Sequence, residues 1–140
     1  SKNDNFLFTY GDGLSSVNIR NLYNFHKKKK KLATVTAVIP PSRYGALVTD
    51  NQNMVKSFSE KPKGRDGYIN GGYFILNKKV FSYIKDDTTV WENEPLENLS
   101  KDNELFAFKH DGFWQAMDTL REKRHLNELW NSNKAEWKIW

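Results

Sequence analysis

Two aspartates stand where a carboxylate could do chemistry. Asp12 sits between Gly11 and Gly13 at the end of the stretch FLFTYGDG, residues 6–13, and Asp118 lies in FWQAMDT. Open α/β sheets place their ligands at the carboxyl ends of strands. Glycines there let backbone come close to a phosphate, and an aspartate takes a hard cation. A single aspartate holds Mg2+ weakly, whereas two of them plus phosphate oxygens suit its octahedral preference. Each residue also has a plainer reading: Gly and Asp are common turn residues, and a carboxylate at a helix start caps the helix. Nothing in the sequence places the two side by side.

Two further stretches offer groups of a complementary kind. In Glu60-Lys61-Pro62, a carboxylate suited to sugar hydroxyls adjoins an ammonium that can meet a phosphate as a point charge. Read plainly, it is a surface ion pair. In Asn70-Gly71-Gly72, the amide offers a donor and an acceptor to a polyol, and the glycines remove side chains from a crowded pocket. Its plain reading is a turn into a strand.

These residues must be positioned by the elements around them. Phe6 to Tyr10 read as a short buried strand, and Ser15 or Ser16 is placed to cap a helix over about 17–30. Residues 32–41, LATVTAVIPP, predict a second strand ended by Pro40-Pro41. Two strand-like arms about Asp50-Asn51-Gln52-Asn53 predict a β-hairpin. A strand near 71–76, a helix over 78–85, a helix around Pro95 to Lys101 and a strand near 104–109 follow. Asp118 opens a last helix on which Leu126, Leu129 and Trp130 share a face. Strands alternating with helices, plus one hairpin, indicate a single α/β layer domain over residues 1–140. A buried strand almost at the first residue has no neighbours before it, so the sequence reads as beginning in the middle of a fold.

Composition limits the partners. The chain has 140 residues, no cysteine and a formal charge of +5. Five of those charges are the block Lys27–Lys31, and without them the formal balance is zero. The block falls at the C-terminal end of a predicted helix, where cations face the negative end of the dipole. A uniformly basic nucleic-acid face is therefore not indicated. No run approaches the roughly 18 to 20 apolar residues of a membrane span, and the default compartment is the cytoplasm. The tail carries Trp130, Trp137 and Trp140, rings that suit docking onto a core or a subunit interface.

The order and spacing of YGDG, RYGAL, SEKPKG, INGGYFILN, WENEPLENL and GFWQAMDTLREK resemble the second half of the bacterial glucose-1-phosphate cytidylyltransferases. These belong to the wider sugar-1-phosphate nucleotidyltransferase superfamily. The resemblance runs from about Phe6 to Trp140 and implies a partial Rossmann-like nucleotidyltransferase fold: a mixed sheet with flanking helices and a β-hairpin. It further implies that Asp12 and Asp118 hold Mg2+ and that Gly11 approaches the ligand by its backbone. Glu60 would bind glucose hydroxyls and Lys61 the sugar's phosphate, with Tyr44-Gly45 and Asn70-Gly71 lining the sugar pocket.

The implied reaction is CTP + glucose 1-phosphate → CDP-glucose + pyrophosphate, in a homo-oligomeric enzyme supplying precursors of surface polysaccharide such as O-antigen. Its nucleophile is a phosphate oxygen already anionic near neutral pH, so His26, His110 and His125 are not needed as bases. The family's Gly-rich GGxGTR-type triphosphate loop has no counterpart among the glycines of this sequence. The nucleotide-binding half is therefore expected to be absent, and turnover by this chain alone very low or nil. A non-catalytic sugar-phosphate-binding or oligomerisation module is the alternative. Cytidine, and glucose over another hexose, enter through resemblance rather than through the physics of the residues.

Overall fold

The computed structural model describes residues 4–41, 46–59 and 67–139. Its centre is a four-stranded mixed sheet in the order β1-β6-β3-β7, formed by Asn5–Thr9, Ile69–Asn77, Ala33–Val38 and Leu105–His110. Strand β6 runs antiparallel to both β1 and β3, and β3 runs parallel to β7. The α/β class and the mixed sheet are as expected.

Two packed faces follow from strand alternation. On one, Ala33, Phe74, Leu76, Val80 and Leu99 form a buried cluster beneath the helix α2, Glu94–Lys101, and a 3₁₀ turn, Lys78–Tyr83. On the other, the helix α1, Ile19–Lys29, buries Leu22 and His26. His26 is 2% exposed, and its Nδ1 lies 2.9 Å from the Thr34 hydroxyl.

The hairpin consists of β4, Ala46–Thr49, and β5, Val55–Ser59, paired antiparallel about the predicted turn. The Asp50 carboxylate accepts the Gln52 and Met54 amide hydrogens and meets Lys56 at 3.1 Å. These partners hold it below the usual carboxylate range, Lys56 foremost.

Several expectations need correction. The first strand is an edge rather than a buried strand. Among the described residues β1 pairs with β6 alone, leaving Leu7 60% and Phe8 36% exposed. Helix α1 is capped not by Ser15 or Ser16 but by Asn18, whose side chain accepts the Asn21 amide. The serines are engaged earlier, around a short strand β2, Gly13–Ser15. That strand pairs with another that periodicity did not show, β8, Trp114–Ala116. Residues 78–83 make a 3₁₀ turn, which the Asn77 side chain caps, and not a helix reaching residue 85.

The last helix, α3, runs Leu120–Asn131 and is capped by Thr119, not Asp118. Leu126 is buried on it, Leu129 is half-buried, and Trp130 is 45% exposed. Trp137 packs on Phe113 with ring centroids 5.2 Å apart, a docked tail as expected. The lysine block has structural neighbours of its own: Lys29 lies over Phe25 and Phe106, Lys27 over Tyr23, and Lys31 pairs with Glu104 at 3.4 Å.

Burial pushes the His26 pKa below its ordinary value of 6.5, so folding favours the neutral ring. The unfolded chain then binds the extra proton first. The stabilisation from His26 is complete above about pH 6.5 and is lost as pH falls through the lower folded-state value. Thermal melting should weaken on acidification below pH 6.5, and less so in His26→Gln. Identical pH profiles for the two proteins would rule this out.

Candidate active site at the β2–β8 ladder

Strands β2 and β8 contribute three residues each, with Gly13 opposite Ala116, Leu14 opposite Gln115 and Ser15 opposite Trp114. The pairing continues at both ends. The Met117 amide donates to the Asp12 carbonyl at 2.7 Å, and the Ser16 amide donates to the Phe113 carbonyl at 3.0 Å. The backbone therefore brings residues 11–13 against residues 116–118, two segments more than a hundred positions apart in sequence.

Neither aspartate is used to build the fold. Helix α3 starts with a capping box in which Thr119 and Glu122 satisfy each other's backbone donors, and Glu122 Oε2 also accepts the Asp118 amide hydrogen at 3.0 Å. The Asp118 carboxylate is left over from capping. Among the described residues neither the Asp12 nor the Asp118 carboxylate takes part in a side-chain hydrogen bond or ion pair. Both residues are exposed. The described residues hold no cluster of three or more metal-ligating side chains. A cation here would have two protein carboxylates and take its other ligands from water or phosphate, the manner in which Mg2+ is commonly held.

The other expected residues divide. Gly11 lies beside the aspartates in open space: a Cβ there meets nothing within 4 Å. Asn70 is adjacent but already engaged, its Oδ1 accepting the Gly72 amide at 2.9 Å and its Nδ2 donating to the Tyr10 hydroxyl at 3.0 Å. Gly71 is required to be glycine by packing against β3. A Cβ would lie 2.7 Å from Val38 Cγ1 and 3.0 Å from the Thr36 carbonyl oxygen. Gly72 has φ +76 and sits under the Tyr10 ring. Tyr44, Gly45, Glu60 and Lys61 lie outside the described residues.

Three residues within the quoted motifs gain roles that spacing did not reveal. Burial, then a hydrogen bond with Glu92, pushes the Tyr10 phenol well above its usual range and keeps it protonated. Tyr73 donates from its hydroxyl to the Gly13 carbonyl at 2.8 Å, and Trp114 donates from its indole to the Gly71 carbonyl at 2.9 Å. A cleft of about 1050 Å³ opens beside Asp118. Ile69, Trp114 and Gln115 line it on one side, and Arg121, Arg124 and His125 of α3 on the other. A smaller hollow of about 250 Å³ by Lys85, Asp86 and Glu94 shares no residue with this arrangement.

A mixed α/β sheet with two unspent carboxylates near strand ends, one of them Asp118 at the cleft, suits an enzyme that handles phosphates, and comparison with known proteins agrees. A family model described as nucleotidyl transferase matches residues 1–120, and the chain belongs to that family. It is 53% identical over 135 residues to the glucose-1-phosphate cytidylyltransferase of Salmonella typhimurium, covering 96% of this chain and 52% of that protein. The enzyme of the same name from Salmonella typhi is 54% identical over 136 residues, with the same coverage of both proteins. The chain thus spans about half the length of the curated relatives it matches. HddC from Yersinia pseudotuberculosis has the same fold, with a TM-score of 0.63 at 22% identity over 92% of this chain and 56% of its own.

The glycines give a direct contrast. Gly71→Ala should destabilise the chain by about 1–3 kcal/mol through overpacking. Gly11→Ala should change stability by less than about 0.5 kcal/mol, as an open surface site. Urea unfolding of the two variants checks both, and equal losses would contradict this account of the two positions.

Proposed function

We propose that this chain forms the acceptor-sugar side of a glucose-1-phosphate cytidylyltransferase, which transfers a cytidylyl group from CTP to glucose 1-phosphate and releases pyrophosphate. The carrying observation is the β2–β8 ladder, which joins two aspartates that the fold does not itself use. The name of the 53%-identical relative supplies the substrates.

In the reaction an oxygen of the sugar phosphate attacks the α-phosphorus in line, and the bond from that phosphorus to the pyrophosphate oxygen breaks. A lone pair of the attacking oxygen forms the new O–P bond, and the pair of the broken bond leaves on the pyrophosphate oxygen. No proton need be removed from the nucleophile, so the protein's work is orientation and charge neutralisation. Asp12 and Asp118 would hold Mg2+, which when bound neutralises phosphate charge. Gly11, where a Cβ would meet nothing within 4 Å, would let the backbone approach the ligand. Glu60 and Lys61 would take the sugar hydroxyls and the phosphate, with Tyr44-Gly45 and Asn70-Gly71 bordering the sugar. Because Asn70 already bonds Tyr10 and Gly72, it would contribute its remaining donor and lone pair.

The CTP loop has no counterpart in this sequence, so turnover by these 140 residues alone should be very low or nil. The resemblance also carries a cytoplasmic, homo-oligomeric setting. Among the described residues no helix is long and apolar enough to cross a membrane.

Trp114 lines the cleft and makes intrinsic fluorescence a reporter. Titration with glucose 1-phosphate should saturate in the presence of Mg2+. Asp12→Asn or Asp118→Asn should weaken that binding by about tenfold or more, as expected on loss of charge-assisted contacts. Saturation that ignores Mg2+ and both substitutions would instead mark a sugar-phosphate-binding module without metal chemistry. No saturable response at all would sink the acceptor-site assignment for this chain.

A further inference from the structure

The β2–β8 ladder pairs with neither of the other sheets. Three residue pairs are too few to hold two strands together in water, so something else must fix it. Its hydrogen-bonding directions show what. Asp12 and Ser16 bond across to β8, and alternation turns the backbone groups of Gly13 and Ser15 the opposite way.

That outer edge of β2 is met by one hydroxyl. Tyr73 Oη donates to the Gly13 carbonyl at 2.8 Å. A phenol donor stands where a third strand would supply a peptide N–H. On the other strand the Trp114 indole donates to the Gly71 carbonyl at 2.9 Å. Tyr73 and Gly71 both belong to β6, a strand of the central sheet.

We propose that Tyr73 and Trp114 are positioning residues for the Asp12–Asp118 pair, mooring the β2–β8 ladder to β6 through the Gly13 and Gly71 carbonyls. The assignment of a purpose to the pair rests on the proposed function; the mooring itself does not. Neither side chain touches the reacting atoms. Each fixes where a segment bearing one of the carboxylates lies relative to the rigid sheet. The far end of the ladder is closed separately, by Ser15 Oγ donating to the Phe113 carbonyl at 3.0 Å and the Phe113 amide donating to Ser16 Oγ at 3.1 Å. Loss of the mooring should therefore loosen the aspartate end first.

Amide hydrogen exchange tests this, using Tyr73→Phe and Trp114→Phe in the full chain. Tyr83→Phe serves as control, because it removes a hydroxyl bonded at 2.8 Å to Asp102 elsewhere on the surface. The Met117 amide, which bonds the Asp12 carbonyl, should exchange about 3- to 10-fold faster in Tyr73→Phe, the scale of one lost hydrogen bond. The amides of Phe74 and Ile75 should keep their rates. Mn2+ used as a paramagnetic probe should bind more weakly to the same variant by a similar factor, and the control should show neither change. Unaltered Met117 exchange in both variants overturns the proposal. So does uniform acceleration through β3 and β6, which would mean general stabilisation. A parent chain that binds no Mn2+ would count against the metal reading alone, with the Met117 rates still deciding the mooring.

Discussion

A ladder of three residue pairs cannot sustain itself in water, and the segments bearing both unspent carboxylates meet in such a ladder. The geometry of the site is therefore borrowed from β6. Over nine residues that strand pairs with β1 on one side and β3 on the other, and it still offers a phenol and a carbonyl to the ladder. Its bulge against β3, between Val35 and Ala37, coincides with the glycine pair. Gly71 passes close to Val38, and Gly72 turns with φ +76 beneath Tyr10. Bulges of this kind are frequent next to active sites because they redirect a strand without ending it.

Polar groups around the site are satisfied in a way that separates framework from chemistry. Tyr10, Asn70 and the Gly72 amide form a closed set of hydrogen bonds, and Glu122 collects the donors at the start of α3. What is left exposed and uncommitted is the pair of aspartates and the space above Gly11. Buried polar groups without partners are few; among the described residues they are the Thr36 hydroxyl and the Trp91 indole nitrogen, both away from the carboxylates.

Much of the fold was legible because its signals are long or chemically sharp. The β-branched run of β3, the turn at Asp50 to Asn53 and a helix within residues 17–30 all appear as read. The ladder was not legible, because three residues carry no period. Trp114 to Ala116 read as the approach to the last helix, Gly13 as part of a turn and Ser15 as a candidate cap of the helix over about 17–30. The same gap hid Tyr73 and Trp114, which look like core aromatics until the backbone groups they meet are known. Asp12 and Asp118 could be named from their types and setting, whereas their proximity depends on the β2–β8 register. Gly71 was read as clearing side chains from a pocket, and the structure adds a close neighbour that the sequence did not show, the strand β3 at Val38 and Thr36. Phe6 to Tyr10 looked buried by composition, yet exposure along β1 depends on which strands flank it.

The register of the ladders also bears on how the chain reaches this state. Apart from the β4–β5 hairpin, each pairing joins distant positions: Asn5 with Asn77, Ala33 with Leu105, Gly13 with Ala116. Such contacts demand that long loops close before they return any stabilisation, which makes folding slow for the chain's size. The contact between residues 12 and 117 spans more than a hundred positions, so it cannot form until both segments are present. Until then the two carboxylates are separate and solvated. The capacity to concentrate negative charge at one point thus arises with closure of the ladder and belongs to neither segment alone.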